Sequence, residues 1–290
     1  MDIAFGINLP TDASNGANPA ALALRAEELG FDFVSSSDHP CGVQPSFETW
    51  TMLTWVAAAT SRIRIATRVL GMPYRPPAMV AKMAETLNRL SDGRLILGLG
   101  GGYSDDEFRA FGLGVPSPRE KVDGLEEGVT IIRGLWSEPA FSLSGRRYHT
   151  EEANIEPKPA DPIPIWLGTF GPRALSVTGR LADGWIPSLP YAPPDEVVGL
   201  RERVLTAARD AGRDPTEITC AYNVDVVVDE RAKSTSTLVA GPPKLVAEQI
   251  VSFTKLGFSA FNFMPSGERL AEQAERLAEE VIPLVREAVA

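Results

Sequence analysis

The chain repeats one pattern along its length: a short run of β-forming apolar residues is followed by a segment with the spacing of an amphipathic helix. Eight such units can be traced. The predicted strands are 3–9, the stretch that begins at Phe31, 62–70, 95–99, 163–167, 184–187, 218–228 and 258–264. A long C-terminal helix closes the series, with one predicted apolar face formed by Leu270, Ala274, Leu277, Val281, Leu284 and Ala288.

Eight alternating strands and helices in 290 residues are typical of a (β/α)8 TIM barrel. The polar, proline-rich segment 137–161 lacks periodicity and predicts an insertion that holds at most a small hairpin. The competing fold is a doubly wound parallel sheet. It is disfavoured because Gly98–Tyr103 lacks the third glycine of the dinucleotide fingerprint. We therefore expect a single barrel domain over residues 1–290.

Charge and cysteine content exclude several classes of partner. The formal net charge is −10 and the pI is about 4.9, which argues against nucleic acid or an anionic membrane surface as a partner. The two cysteines and two histidines form no pattern with metal-ligand spacing, so we expect no metal. The N-terminus resembles no signal peptide and no long apolar run follows, so we expect a cytoplasmic protein that acts on a small molecule.

Functional residues of such barrels lie at the carboxyl ends of the strands. Asp38 and His39 follow the second predicted strand, where an imidazole beside a carboxylate suits proton transfer. The alternative is that both residues only form a turn. The loop Pro265–Gly267 after the last strand falls at the same end.

Two glycine-rich loops are expected at this end as well. Gly100, Gly101 and Gly102 follow the fourth strand and offer a flat floor for a planar ring, with Tyr103 as a nearby hydrogen-bond donor; a flexible connector is the alternative. The segment Gly168–Arg173 opens a helix, and its free N–H groups predict an anion site; an ordinary helix start is the alternative. With no catalytic triad or carboxylate dyad in view, a bound cofactor is expected to carry the chemistry.

Nine short motifs together resemble the luciferase-like family of flavin- and deazaflavin-dependent oxidoreductases, over essentially the whole chain. They are Ser37–His39, Thr67–Leu70, Pro73–Pro76, Leu90–Arg94, Leu97–Gly100, Glu107–Gly112, Leu135–Trp136, Gly168–Leu175 and Ala182–Trp185. The resemblance implies a barrel that is usually dimeric and binds coenzyme F420 or FMN at its mouth. The spacing of Ser104 and Glu107 predicts a capping box at the start of a short helix.

The resemblance assigns roles to particular positions. Asp38 and His39 match the pair beside the ring in F420-dependent members, Arg68–Val69 matches a non-prolyl cis peptide, and Phe170–Arg173 match the phosphate loop. The expected catalytic residues are His39, Asp38, which would orient it, and Tyr103. The expected cofactor contacts are Asp38, Arg68, Val69, Gly71, Gly100, Gly101, Gly102, Thr169, Phe170, Gly171, Pro172 and Arg173.

Two departures narrow the function. Members that oxidise a sugar phosphate carry a glutamate where this chain has Tyr103 and a tryptophan where it has Val43. The prediction is therefore an F420-dependent oxidoreductase that transfers a hydride to or from another small organic substrate. A two-component FMN-dependent monooxygenase and a non-catalytic flavin- or deazaflavin-binding protein remain the alternatives.

Overall fold

A computed structural model describes residues 3–266 and 269–290, so Gly267 of the last loop lies outside the described residues. Eight parallel strands form its centre. They are β1 Ala4–Asn8, β2 Phe33–Ser36, β3 Arg64–Thr67, β4 Leu95–Gly100, β5 Ile165–Leu167, β6 Gly184–Trp185, β7 Thr219–Val228 and β8 Ala260–Pro265. A two-residue strand, Leu70–Gly71, adds to the pairing of β4 beyond the end of β3.

The eight strands close into a ring. Each strand pairs in parallel with the next along the chain, and β8 returns to β1 with Ala4 opposite Ala260. The (β/α)8 TIM barrel is thereby confirmed, and the doubly wound sheet is wrong because an open sheet leaves two unpaired edges.

Helices surround this ring. They are α1 Pro19–Glu28, α2 Thr49–Ala59, α3 Pro77–Leu90, α4 Asp105–Ala110, α5 Pro118–Ser137, α6 Pro172–Leu181, α7 Pro194–Asp210, α8 Pro243–Lys255, α9 Leu270–Arg276 and α10 Ile282–Val289. Local chemistry sets several of their starts. Asn18 accepts the N–H of Ala21 at the start of α1, and Ser117 and Glu120 form a reciprocal capping box at the start of α5.

Strand residues alternate between two cores. In β1, Phe5 and Ile7 point outward into the large core under the helices, whereas Gly6 faces inward, where an added Cβ would lie 2.2 Å from the ring of Phe33. The inside of the barrel is a small separate cluster in which Phe33 and Trp166 meet edge to face at 5.7 Å. These side chains plug the barrel, so only its mouth is left open to a ligand.

The insertion contains the expected hairpin, formed by the antiparallel strands Phe141–Ser144 and His149–Ala153. Sequence periodicity missed the strand Val239–Gly241, which extends the sheet beside β7. No helix in the described ranges is long and apolar enough to cross a membrane.

The predicted apolar face of the last helix is wrong in its final third. A wide π turn, Leu277–Val281, separates α9 from α10, and Pro283 just after it has no N–H for a regular helical bond. The turn adds a residue and rotates the face. Val285 is consequently buried, whereas Leu284 is 39% exposed.

Candidate active site

A cavity of about 260 Å³ opens at the carboxyl ends of β2 to β7. Its floor is the plugged barrel interior, and its walls are the loops that follow the strands. The residues that line it are Asp38, His39, Arg68, Val69, Gly71, Tyr74, Gly100, Gly101, Gly102, Tyr103, Gly168, Phe170, Ile186, Ser188, Tyr191 and Asn223.

The predicted site residues divide into three groups. Ten of them line the cavity: Asp38, His39, Arg68, Val69, Gly71, Gly100, Gly101, Gly102, Tyr103 and Phe170. Gly171, Pro172 and Arg173 lie just past Phe170, at the start of α6. Thr169 faces away: its hydroxyl lies 2.7 Å from that of Thr178 and its carbonyl accepts the indole N–H of Trp185, so its side chain is committed to the protein.

Asp38 fixes the wall of the cavity. Its carboxylate is 1% exposed and accepts two hydrogen bonds from Arg75, at 2.7 and 3.0 Å, and one from the N–H of Gly71 at 3.1 Å. Burial alone would lower the pKa of Arg75. The interactions of Arg75 with Asp38 and then Glu48 outweigh burial and raise that pKa. Asp38 therefore holds the loop after β3 and does not orient His39, which corrects the sequence expectation.

The partner of His39 is Glu107. The Nδ1 atom of His39 lies 3.0 Å from Oε1 of Glu107, while the other carboxylate oxygen accepts the hydroxyl of Tyr74. Only half of the predicted capping box forms: Ser104 accepts the N–H of Glu107, but the Glu107 carboxylate turns toward His39. Sequence reasoning missed this role because spacing along a helix accounts for Glu107 locally.

These contacts set the proton positions around His39. A carboxylate can only accept hydrogen bonds, so Nδ1 of His39 donates to Glu107, and in the neutral imidazole Nε2 then carries the lone pair. Burial, and next the hydrogen bond to Glu107, raises the pKa of Tyr74, which keeps its hydroxyl protonated as a donor. His39 itself is half exposed at the edge of the cavity and is free to exchange a proton with a ligand.

Packing explains why glycine stands at each of the three positions at the end of β4 and just after it. A Cβ on Gly100 would lie 2.7 Å from the side chain of Val69, and one on Gly102, whose φ is +93°, would lie 2.3 Å from Phe108. A Cβ on Gly101 would lie 3.2 Å from the carbonyl of Lys121. Because these residues also line the cavity, their backbone is directly exposed to a ligand there.

Arg68 and Val69 form the next part of the wall. The peptide bond between them is cis, as the resemblance implies. The guanidinium of Arg68 reaches Oδ1 of Asn8 at 3.3 Å, and burial lowers the pKa of Arg68 to about 10 although Asp225 opposes this effect. Burial likewise raises the pKa of Asp225, against the influence of Arg68. The two charges partly compensate each other at the base of the mouth.

The start of α6 has no side-chain cap. Gly171 occupies the N-cap position, and the first helical residue is Pro172. The N–H groups of Arg173 and Ala174 have no possible partner within the helix, so they are available to an anion. The guanidinium of Arg173 instead pairs with Asp123, and it lowers the pKa of that carboxyl. An anion would thus meet the backbone more than the arginine.

A buried polar chain supports the far wall. Ser35 donates to Asn262 at 2.8 Å, Asn262 donates to Asn223 at 2.9 Å, and Asn223 donates to Ser188 at 3.1 Å. Ser188 and Asn223 line the cavity, so their orientation is fixed before a ligand arrives. The rule that functional residues follow the strands predicts a place at this end for the loop 187–191, which contains Ser188, whereas no pattern in the sequence marked Asn223. Among the described residues no cluster of His, Cys, Asp or Glu has the geometry of a metal site.

Named relatives share a substantial part of the sequence. An F420-dependent glucose-6-phosphate dehydrogenase from Nakamurella multipartita is 34% identical over 234 residues, which cover 78% of this chain and 68% of the relative. An F420-dependent hydroxymycolic acid dehydrogenase from Mycobacterium tuberculosis is 36% identical over 209 residues, 68% of this chain and 55% of that protein. For a Kineococcus radiotolerans glucose-6-phosphate dehydrogenase of the same kind, the alignment covers only about half of the relative, 51%.

Solved structures show the same fold. An F420-dependent secondary alcohol dehydrogenase in complex with an F420–acetone adduct superimposes with a TM-score of 0.89 at 22% identity, over 99% of this chain and 100% of that one. A model of the luciferase-like monooxygenase family matches residues 3–235. Because this match covers well over half of the chain, the chain belongs to the luciferase-like monooxygenase family.

Proposed function

We propose that the chain is a coenzyme F420-dependent oxidoreductase that moves a hydride between carbon 5 of the deazaflavin and a small organic substrate. The observation that carries the proposal is the placement of His39, held by Glu107, at the edge of a glycine-lined cavity. Relatives named as F420-dependent dehydrogenases, at 34% and 36% identity, support the same cofactor.

The residues present fit such a cofactor. Gly100 and Gly168 expose backbone where a Cβ on either would approach the side chain of Val69, so a planar ring can lie against this wall. The uncapped start of α6 follows Phe170 directly and offers N–H groups to a phosphate. We assign Gly100–Gly102, Val69 and Gly71 to the ring, and Gly171–Arg173 to the phosphate. Thr169 is assigned only a backbone role.

The deazaflavin, when bound, supplies a carbon that accepts or releases a hydride. The chain supplies the acid–base chemistry. Nε2 of His39 takes the hydroxyl proton of an alcohol or, when protonated, gives a proton to a carbonyl oxygen. Glu107 stabilises the resulting imidazolium, and Asp38 keeps the neighbouring wall in place through Arg75. Tyr103 is assigned a donor role beside His39, with ring centroids 6.5 Å apart.

The test is a binding titration with two cofactors. Purified protein is titrated with F420 and, separately, with FMN, and ligand fluorescence reports the bound fraction. We expect tight binding of F420 and weak or no binding of FMN. A panel of alcohols and carbonyl compounds then follows, with oxidised or reduced F420 as the partner. Tight FMN binding without F420 binding would falsify the cofactor assignment.

The same purified protein can be used to test the two alternative functions. An FMN-dependent two-component monooxygenase would consume oxygen when reduced FMN and a substrate are supplied, since reduced flavin reacts readily with oxygen. A non-catalytic binding protein would bind cofactor, and the change His39→Ala would leave the rate with every candidate substrate unchanged. Loss of turnover with retained F420 binding in that variant is the result we expect.

We further propose a cytoplasmic homodimer. Trp55 on α2 is 67% exposed and Met79 on the neighbouring helix α3 is 54% exposed, which is typical of a surface that another protein covers. A second copy is the partner that the resemblance implies. Light scattering coupled to gel filtration measures the mass, and Trp55→Glu is expected to shift a dimer to monomer. A monomeric wild-type chain would refute this proposal without affecting the cofactor assignment.

A further inference from the structure

Three aromatic side chains from three different loops form a continuous surface at the mouth, here called the aromatic rim: Tyr103 after β4, Phe170 after β5 and Tyr191 after β6. The ring centroids of Tyr103 and Tyr191 are 6.3 Å apart, and those of Phe170 and Tyr191 are 5.7 Å apart. All three line the same cavity as His39.

The three side chains of the aromatic rim are exposed, although aromatic side chains favour burial. Tyr103 is 75% exposed, Tyr191 58% and Phe170 36%. The rings lie against one another, yet Tyr103 and Tyr191 are each more than half exposed. Three adjacent rings with this exposure around a cavity are typical of a ligand-binding surface, because a flat ligand gains both area burial and favourable ring geometry there.

The charges at the mouth select against a phosphate ester. Arg75 is shared between two carboxylates, Asp38 and Glu48, and the charge of Arg68 is opposed by Asp225. Glu107 adds one more carboxylate beside His39. These four carboxylates outnumber the two guanidinium groups, so a doubly charged substrate group would be repelled where the cavity opens.

Hydrogen-bond donors for an uncharged oxygen are nevertheless present. Arg68 lines the cavity, and in the part of the chain that the structure describes its guanidinium makes one hydrogen bond, to Asn8 at 3.3 Å. Tyr103 and Tyr191 place hydroxyl groups on the aromatic rim. A carbonyl or hydroxyl oxygen can therefore be bound and oriented toward His39 without an additional cation.

We propose, on the basis of the proposed function, that the substrate is an uncharged alcohol or carbonyl compound with a flat aromatic body. In the oxidative direction the carbinol C–H bond breaks and its electron pair passes as hydride to the deazaflavin, which is reduced. The O–H proton passes to Nε2 of His39, and the carbon–oxygen double bond forms, so the alcohol is oxidised. The aromatic rim covers the body of the substrate.

The experiment compares matched ligands by isothermal titration calorimetry, with the protein alone and with F420 present. The probes are 1-phenylethanol, 1-cyclohexylethanol, and 4-(1-hydroxyethyl)phenyl phosphate, which adds only a phosphate to the first. We expect the phenyl compound to bind roughly 3- to 10-fold more tightly than the cyclohexyl compound, the range that one or two aromatic contacts supply. The phosphate compound should bind at least about tenfold more weakly than 1-phenylethanol.

Two double variants assign the effect to the aromatic rim. Tyr103→Ala with Tyr191→Ala should abolish the preference for the phenyl compound, whereas Tyr103→Phe with Tyr191→Phe should retain it. Circular dichroism checks that both variants are folded. The Kd for F420, measured by fluorescence, should change less than about threefold in either variant, since the rings are assigned to the substrate.

Several results would overturn the inference. One is a phosphate probe that binds as tightly as 1-phenylethanol, and another is an alanine pair that keeps the aromatic preference. A large loss of F420 affinity in the alanine pair would assign the rim to the cofactor instead. Failure of the wild-type chain to bind F420 refutes the proposed function, yet the ranking of the three probes without F420 still decides the substrate class.

Discussion

The two ends of the barrel differ in how completely their polar groups are hydrogen-bonded and their rings are covered. At the amino end, Arg94 is 9% exposed and donates to the carbonyls of Ser91, Ile63, Ala57 and Thr60 and to the Thr60 hydroxyl, at 2.7 to 3.1 Å. Each donor nitrogen there has a protein partner. At the mouth, the start of α6 has no side-chain cap and the rings of the aromatic rim are exposed.

This difference separates stability from function. The Leu90–Arg94 motif, which is one of the nine that resemble the family, lies at the amino end, where Arg94 joins the last turn of α2 to the residue before β3 and the residue after α3. Its hydrogen bonds are complete, so it has nothing to offer a ligand. The mouth has incomplete hydrogen bonding and exposed apolar surface, which a ligand can complete. In barrels of this kind the amino end serves stability and the carboxyl end serves chemistry.

The largest effect on function without an effect on stability is expected at His39. The change His39→Ala should lower kcat by roughly 10²- to 10⁴-fold, the usual contribution of a general acid or base. The free energy of unfolding should change by less than about 1 kcal/mol, because His39 is half exposed and Glu107 keeps its bond to Tyr74. F420-coupled turnover and urea unfolding measure the two quantities. A large loss of stability with normal turnover would reverse the comparison.

Arg94 should show the opposite behaviour. Arg94→Ala removes five hydrogen bonds and leaves buried carbonyls without donors, so we expect a loss of about 3–5 kcal/mol in the free energy of unfolding. F420 affinity of the folded protein should not change. The control is Arg209→Ala, which breaks an exposed pair with Glu202 and should cost less than about 1 kcal/mol. Equal losses in the two variants would contradict the assignment.

A third substitution, at Gly171, should stabilise the protein and weaken cofactor binding at the same time. Gly171 has φ −71° and open space around its Cβ, so Gly171→Asp introduces no strain. The new carboxylate can cap α6 and should stabilise the protein by about 1 kcal/mol through the cap, the helix dipole and reduced chain entropy. It would also occupy the N–H groups assigned to the cofactor phosphate.

We therefore expect Gly171→Asp to weaken F420 binding by roughly tenfold or more, since a charge repels the phosphate at close range. Gly171→Ala is the matched control: it adds the Cβ without an acceptor and should leave the Kd nearly unchanged. Fluorescence titration measures both. Unchanged affinity in the aspartate variant would mean that the phosphate lies elsewhere.

The fold was largely predictable because periodicity reports local structure directly. The eight barrel strands follow from alternation and turn residues, whereas segment 137–161 was predicted only as an insertion because it lacks periodicity. Such patterns are short-ranged. They placed Asp38 and His39 correctly at the mouth but gave both the wrong partner, because Arg75 lies 37 residues from Asp38 and Glu107 lies 68 residues from His39. Which loops meet at the mouth is decided by barrel closure, which no local pattern records.

The smallest predicted effect concerns acid stability at the amino end. Burial alone would raise the pKa of Glu27, but the N–H groups of Ile63, Arg62 and Ser61 outweigh it and lower the value from 4.5 to about 2. The folded state therefore holds this proton less tightly than the unfolded chain does. The stabilisation is complete above pH 4.5 and is lost as the pH falls from 4.5 toward 2.

Because Glu27 is partly solvated, its contribution should be only about 1–2 kcal/mol after allowance for screening. Glu27→Gln should remove that amount at pH 7 and flatten the loss of stability between pH 4.5 and 2, as followed by urea unfolding at a series of pH values. Glu28→Gln is the control, since Glu28 is an exposed neighbour paired only with Arg25 among the described residues. If both variants kept the same acid limb as the wild type, Glu27 would not be the group that ties α1 to the residues just before β3.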